Sequence, residues 1–242
     1  MTRKQWITFL GATALALNTQ ANEPLVALGS AEAVLDFARS HLPQAPMQID
    51  GTLYVKAANN FPKNKYPVQM LLEWGKNRAT YSISDRDSDL QQRLTVTFPE
   101  RGQPGYQFFS GAELAPAAMP DPLSKIGETD ISWADLSLSF FWWPNAKLVD
   151  YTSKKGRSAY VIDIPAPATE QDLSKVRVWI DMKLGMMIEA AMYGKDGNKQ
   201  RNMRVVSIKK VQEGFWMVKN IDITRPGTKE RTKLQIDSVE IK

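Results

Sequence analysis

Glycine turns at hairpin intervals are the feature that most constrains this chain. Gly185, Gly197, Gly214 and Gly227 follow one another at spacings of 12, 17 and 13 residues, the rhythm of consecutive antiparallel strands. They sit in Lys183-Leu184-Gly185, Asp196-Gly197, Glu213-Gly214 and Pro226-Gly227, and Lys154-Lys155-Gly156 adds a fifth turn. In each, glycine supplies a positive φ at little steric cost. Around these turns hydrophobicity alternates with period 2. Met47, Ile49, Gly51, Leu53 and Val55 interleave with Gln48, Asp50, Thr52, Tyr54 and Lys56, which reads as a half-buried strand. Residues 66–76 repeat the device with Val68, Met70, Leu72 and Trp74 on one face, and Gly75-Lys76-Asn77 turns the chain into a strand over 78–84. Further strands are predicted over 92–98, 106–110, 147–153, 158–164, 175–181, 186–193, 202–209, 215–224 and 232–241. A sheet this long must curl or close to hide its edges.

Helices interrupt the pattern twice. Over 30–41, Ser30 suits an N-cap and Glu32 the positive helix end, while Ala33, Val34, Leu35, Phe37 and Ala38 form an apolar stripe. Pro43 and Pro46 end it. Residues 112–122, rich in Pro and Ala, read as an irregular loop. Ser132-Trp133-Ala134-Asp135 then resembles a capping box with Asp in place of the longer Glu or Gln, and it opens a predicted helix over 133–143 that Pro144 closes. The predicted fold is mainly β with two or three helices: one large curled antiparallel sheet in a single domain over 22–242.

The first 21 residues read differently. Arg3 and Lys4 precede an uncharged, largely apolar stretch from Trp6 to Leu17, and Asn18-Thr19-Gln20-Ala21 follows. This is the layout of a cleavable secretory signal, with cleavage expected after Ala21 and the periplasm as destination. Twelve helical residues reach about 18 Å, short of the roughly 30 Å hydrocarbon core. Removing the segment turns 31 basic against 26 acidic residues into 29 against 26, a charge of +3. The densest basic runs, Lys154-Lys155-Gly156-Arg157 and Lys209-Lys210, fall at hairpin ends rather than on one face. No nucleic acid is expected as a partner.

The chemistry-bearing residues are few. With no cysteine and a single histidine, His41, the chain has no thiolate zinc site, Cys nucleophile, poly-His metal centre or lipid-bearing N-terminal Cys. No G-x-S-x-G, phosphate-cradling glycine loop or HExxH occurs. His41 follows a helix and precedes a proline, where a positive charge suits the dipole. Asp85, Asp87 and Asp89 form a D-x-D-x-D run, yet Leu90 and Val96 stand where an EF-hand needs Gly and Glu. Asp130 with Asp135 and Asp163 with Asp181 are candidate carboxylate pairs, and nothing in the sequence brings either within reaction distance. No enzyme activity and no cofactor are expected.

The order of motifs resembles a known family. Gly127-Glu128-Thr129-Asp130-Ile131-Ser132-Trp133-Ala134-Asp135-Leu136 is similar to the GTDISxxDL segment of LolA-like outer-membrane lipoprotein-sorting proteins. KVRVWID at 175–181, MMIEAAMYGKDG at 186–197 and VVSIKKVQEGFWMV at 205–218 resemble that family's C-terminal half in order and spacing. The likeness covers about 45–242 and is strong over 127–240. It departs at Met217-Val218-Lys219, where many relatives carry Pro, and the absent Cys makes the chain look unlike the membrane-anchored acceptor LolB. The resemblance implies an open half-barrel around a hydrophobic cavity, with helices as its lid. It also implies a monomeric carrier or chaperone of lipoprotein acyl chains or related lipids, moving cargo from an inner-membrane donor to an outer-membrane acceptor. An arginine that fastens the lid is implied too, and no local motif assigns that role to Arg78, Arg93 or another. A sensor or transporter-associated interaction module on the same fold is the alternative.

Two features suit a lipid-binding wall. Phe140-Phe141-Trp142-Trp143 exceed what one helix face can bury, because neighbours lie about 100° apart. Core packing at the helix end and lining of a cavity both remain open for them. Six of the ten methionines lie within 182–217: Met182, Met186, Met187, Met192, Met203 and Met217. Flexible thioethers accept varied apolar shapes, although Met186, Met187 and Met192 cannot all share one strand face. The candidate lipid-binding set is Leu53, Met70, Leu72, Trp74, Phe140, Phe141, Trp142, Trp143, Met187, Met203 and Met217.

Overall fold

The computed structural model describes residues 28–85, 91–100, 102–168, 172–212 and 215–242. The predicted export segment, Asp87 and Asp89 of the acidic run and the Glu213-Gly214 turn lie outside these residues. Helix α1 (Ala31–Ser40) opens as the sequence predicts, with Ser30 Oγ accepting from the Ala33 N–H at 3.2 Å. Its stripe of Val34, Leu35 and Ala38 is buried, and His41 caps its C-terminus.

Six strands follow: β1 (Met47–Lys56), β2 (Pro62–Glu73), β3 (Arg78–Ser84), β4 (Gln91–Thr97), β5 (Gly105–Ser110) and the short β6 (Ala115–Ala117). Helix α2 (Trp133–Ser137) comes next. Seven more strands complete the chain: β7 (Lys147–Lys154), β8 (Arg157–Pro165), β9 (Leu173–Asp181), β10 (Met187–Gly194), β11 (Lys199–Gln212), β12 (Phe215–Thr224) and β13 (Arg231–Ile241). All thirteen form one antiparallel sheet in the order β6-β5-β4-β3-β2-β1-β13-β12-β11-β10-β9-β8-β7. The sheet is not closed into a barrel. It is the open half-barrel that the resemblance implies.

The topology explains where the lid sits. The two free edges, β6 and β7, are consecutive in the chain, so residues 118–146 must cross from one wing to the other. They do so through the concavity, touching both wings. Trp133 meets Phe108 of β5 edge-on at 5.6 Å, the Glu128 N–H donates to Tyr66 Oη of β2, and the Asp130 N–H donates to Thr232 Oγ1 of β13.

Strand β1 shows how the alternation becomes a core. Met47, Ile49, Gly51, Leu53 and Val55 are buried while their neighbours are half-exposed. Gly51 lies at a register shift against β13, and a Cβ there would stand 2.7 Å from the Gln235 carbonyl oxygen. Gly51→Ala is therefore expected to lower stability by about 1–3 kcal/mol in urea unfolding, the range for overpacking. Gly29→Ala, whose Cβ meets nothing within 4 Å, serves as the control.

Three expectations need correcting. The helix predicted over 133–143 ends at Ser137. Leu138 then turns left-handed (φ 52°), Ser139–Trp142 form a 3-10 turn, and Trp143 is extended. Four adjacent aromatics demand different surfaces, and breaking the helix sends Phe140, Phe141 and Trp143 into the core and Trp142 elsewhere. The loop predicted over 112–122 contains β6, whose Pro116 is tolerated because the strand is an edge. The strand predicted over 66–76 stops at Glu73, and Trp74 starts a 3-10 turn closed by left-handed Asn77.

Candidate functional site

A cavity of about 240 Å³ lies between the concave face and residues 131–142. Its floor comes from alternate residues of the central strands: Met47 and Ile49, Met70 and Leu72, Tyr81, Met203, Ile221, Leu234 and Ile236. Ile131, Leu136, Leu138, Phe141 and Trp142 form the roof. Ala38, Arg39, His41 to Pro43, Gly185 to Met187 and Phe215 to Val218 complete the wall, with His41 and Trp216 its solvent-exposed members. Polar groups are few. Burial raises the pKa of the Tyr81 phenol, which keeps that floor residue neutral.

Of the predicted lipid-binding residues, Met70, Leu72, Trp74, Phe141, Trp142, Met187, Met203 and Met217 line this cavity. Leu53, Phe140 and Trp143 do not; they are packed in the core at 0%, 1% and 5% exposure. Leu53 has the right parity but lies four residues beyond Ile49, about 13 Å along the strand. There Tyr66, opposite it in β2, fills the space. A Cβ on left-handed Gly127 would come within 2.9 Å of the Tyr66 ring, so roof and floor are in contact at that end. Of the clustered methionines, Met186 also lines the cavity. Met192 is buried in the core and Met182 packs against it.

Two arginines fasten the roof, and neither Arg78 nor Arg93 is one of them. Arg201, on β11, donates to Ser132 Oγ at 3.2 Å and pairs with Asp135 at 2.9 Å. Asp135 also completes the capping box, accepting from the Ser132 N–H at 3.0 Å. Arg39, on α1, donates to the Phe141 carbonyl at 2.8 Å, and its guanidinium lies 5.8 Å from the Trp142 ring centre. Trp142 packs at a tilt against Phe98 at 4.2 Å and stacks on Trp74 at 6.0 Å. By contrast Arg78 pairs with Glu73, and Arg93 donates to Ser82 within the sheet. Only the tertiary fold brings residues 39 and 201 to the roof, so no local signal could have found them.

The candidate carboxylate pairs are each tied to cations. Asp163 binds Lys175 and Arg177, Asp181 binds Arg157, Asp135 binds Arg201, and Asp130 binds Lys125 and Arg225. Among the described residues no group of three or more His, Asp or Glu could hold a metal. Burial pushes the Asp163 and Asp181 carboxyls up, yet bonds from Arg177 and Lys175, and from Arg157 and two backbone N–H groups, hold both below the usual 3.8. Bonds from Lys76 and Arg78 hold Glu73 below 4.5. A depressed carboxylate pKa stabilises the fold above the unfolded value, and that contribution is lost as pH falls through the folded one. Asp130 runs the other way, because burial raises it. With Asp196, held low by bonds from Asn198, four groups against one give an expected stability, followed by thermal unfolding, that falls steeply below about pH 4.

An open antiparallel half-barrel with a helical segment laid over an apolar cavity is a LolA-like fold. Solved structures share it, among them the following three. A putative outer membrane lipoprotein-sorting protein domain from Vibrio parahaemolyticus has a TM-score of 0.71 and 13% identity, covering 88% of this chain and 93% of that one. A DUF1329 family protein from Desulfovibrio piger gives 0.70 and 12%, covering 87% and 91%. A LolA superfamily protein from Nitrosomonas europaea gives 0.65 and 16%, covering 89% and 94%. A family model described as "uncharacterized protein" matches residues 117–242, more than half of the chain, and the chain belongs to that family. No curated protein matches the sequence. Among the described residues no helix is long and apolar enough to cross a membrane.

Proposed function

We propose that the protein is a periplasmic carrier that shields the acyl chains of lipoproteins, or of a related amphiphile, in this cavity. The observation that carries the reading is a roofed apolar cavity whose roof is held by a small set of polar and aromatic contacts. Burial of each methylene is worth about 0.8 kcal/mol, so part of one chain gives reversible affinity without chemistry. The reaction is transfer, and no side chain acts as acid, base or nucleophile.

The cavity, at about 240 Å³, is below the roughly 300–1,000 Å³ of ordinary ligand pockets. Lifting the roof would enlarge it for cargo. Lifting separates Arg201 from Asp135 and Ser132, Arg39 from the Phe141 carbonyl, and Trp142 from Trp74 and Phe98. The Arg201 Nε is buried without a hydrogen-bond partner, so this fastening falls short of a bidentate pair and releases at lower cost. Leu138 sits where roof helix and 3-10 turn meet. Its left-handed backbone stores about 1–2 kcal/mol, which favours rearrangement at that point.

Displacement of a fluorescent fatty acid, together with native mass spectrometry of protein purified from cells, tests the proposal. Trp142→Ala is expected to change probe affinity at least several-fold with the fold retained, because it alters both a cavity wall and a roof contact. Trp143→Ala is expected to act on stability, by about 3–5 kcal/mol as for other buried aromatics. A protein that is empty and inert to the probe would instead favour the interaction module.

A further inference from the structure

Strands β11 and β12 run on beyond the rest of the sheet. Pairing of β11 with β10 ends at Arg204, and pairing of β12 with β13 ends at Asn220. Past those points, among the described residues, the two strands pair only with each other, from Ile208↔Val218 to Gln212↔Phe215. They form a two-stranded arm with both edges free. Its root is secured: Lys155 Nζ, from the β7–β8 turn, donates to the Val205 carbonyl at 2.7 Å, and Asn220 Nδ2 donates to Ser207 Oγ at 2.7 Å. The arm leaves the sheet at the end where β1 begins and β13 finishes, and its Phe215 to Val218 belong to the cavity wall.

The surface of the arm is apolar and cationic together. Trp216 is 45% exposed and Val206 at the root 52%. Trp216 stands opposite Lys210, and Met217 opposite Lys209. Over 204–219 the sequence holds Arg204, Lys209, Lys210 and Lys219 against a single acid, Glu213. Among the described residues none of the three lysines is in an ion pair. An exposed indole directly opposite Lys210, with Lys209 and Lys219 on the same arm, matches the boundary of an anionic bilayer, where Trp sits at headgroup depth and each Lys is attracted by the surface potential.

We propose that the β11–β12 arm docks the protein on an anionic phospholipid surface and so sets the part of the cavity wall formed by Phe215 to Val218 against the bilayer. Docking draws on the arm alone and does not require the cargo reading to be right. Charge supplies most of the attraction and Trp216 a shallow insertion. Because the arm carries both the cationic surface and part of the cavity wall, an amphiphile leaving the bilayer would meet apolar side chains without crossing open water.

Flotation with vesicles of phosphatidylglycerol and phosphatidylcholine, against phosphatidylcholine alone, tests it. The protein is expected to float only with the anionic vesicles and to be released at about 0.5 M salt, where the Debye length is a few ångströms. Lys209→Gln, Lys210→Gln and Lys219→Gln combined should weaken vesicle binding roughly 10- to 100-fold and leave fatty-acid probe affinity unchanged, since none of the three lines the cavity. Quenching of tryptophan emission by bromine-labelled lipid should contain a component that vanishes in Trp216→Phe. A wild-type protein that stays off anionic vesicles overturns the proposal, whether or not it binds the probe. So does a triple variant that floats like the wild type. Met203→Trp, which narrows the cavity away from the lysines, should float normally even when probe binding is lost, which separates this reading from the cargo reading.

Discussion

Replacing Asp135 by Ala is expected to lower the free energy of unfolding by about 3–5 kcal/mol, the cost of leaving one partner of a buried ion pair alone. Asp135 and Arg201 are only 2% and 13% exposed at their side chains. The same carboxylate accepts from the Ser132 backbone and from Ser132 Oγ at 3.0 and 2.8 Å. Its loss removes the Asp135 half of the capping box and leaves a guanidinium under the roof without its carboxylate. Against a typical total of about 5–15 kcal/mol this is a large fraction. Arg201→Met should cost a similar amount by the reverse route. Asp135→Leu combined with Arg201→Met should recover much of the loss, since apolar replacement of a whole buried pair is often neutral or stabilising. Urea unfolding of the two singles and the double gives the coupling energy. Additive losses would show that the pair does not act as a unit.

Met203→Trp carries the largest expected functional effect. Met203 is 1% exposed, on β11, with its side chain in the cavity wall. An indole there would occupy space in a cavity of about 240 Å³. Excluding three or four methylenes of cargo removes about 3 kcal/mol of burial, a loss of roughly 100-fold or more in probe affinity. The stability cost should stay within about 1–3 kcal/mol, because the added volume enters free space as well as packed core. Probe titration beside urea unfolding separates the two. Unaltered affinity in a folded variant would place the cargo outside this cavity.

Much of the fold was legible residue by residue. The β1 alternation survives unchanged as a buried and half-exposed pattern. The turn glycines Gly156, Gly185, Gly197 and Gly227 all adopt positive φ, because a tight hairpin demands a conformation that side chains resist. The Ser132–Asp135 capping box forms as its spacing implies. Local rules worked where the determining contacts lie within a few residues. They failed where neighbours in space decide. The helix predicted over 133–143 breaks at Leu138 because four adjacent aromatics answer to separate surfaces: Phe98 and Trp74 for Trp142, the core for the rest.

The candidate site divides along the same line. Alternation identified the faces of β1 and β2, and so Met70 and Leu72. It could not say where along a face the cavity stops, which is why Leu53, with correct parity, lies in packed core opposite Tyr66. The roof fastenings were hidden altogether: Arg201 is 66 residues from Asp135, and Arg39 lies 102 from Phe141.

By itself the sequence determined a long antiparallel meander, two amphipathic helical starts, and an inventory of side chains with no cysteine and a single histidine. These follow from local backbone preference and composition. The tertiary structure alone decided that the sheet stays open, that residues 118–146 cross its hollow, and that β11 and β12 outrun their neighbours. Each of those depends on strand register and on pairing between distant residues, which side-chain period leaves undetermined until the whole sheet is assembled.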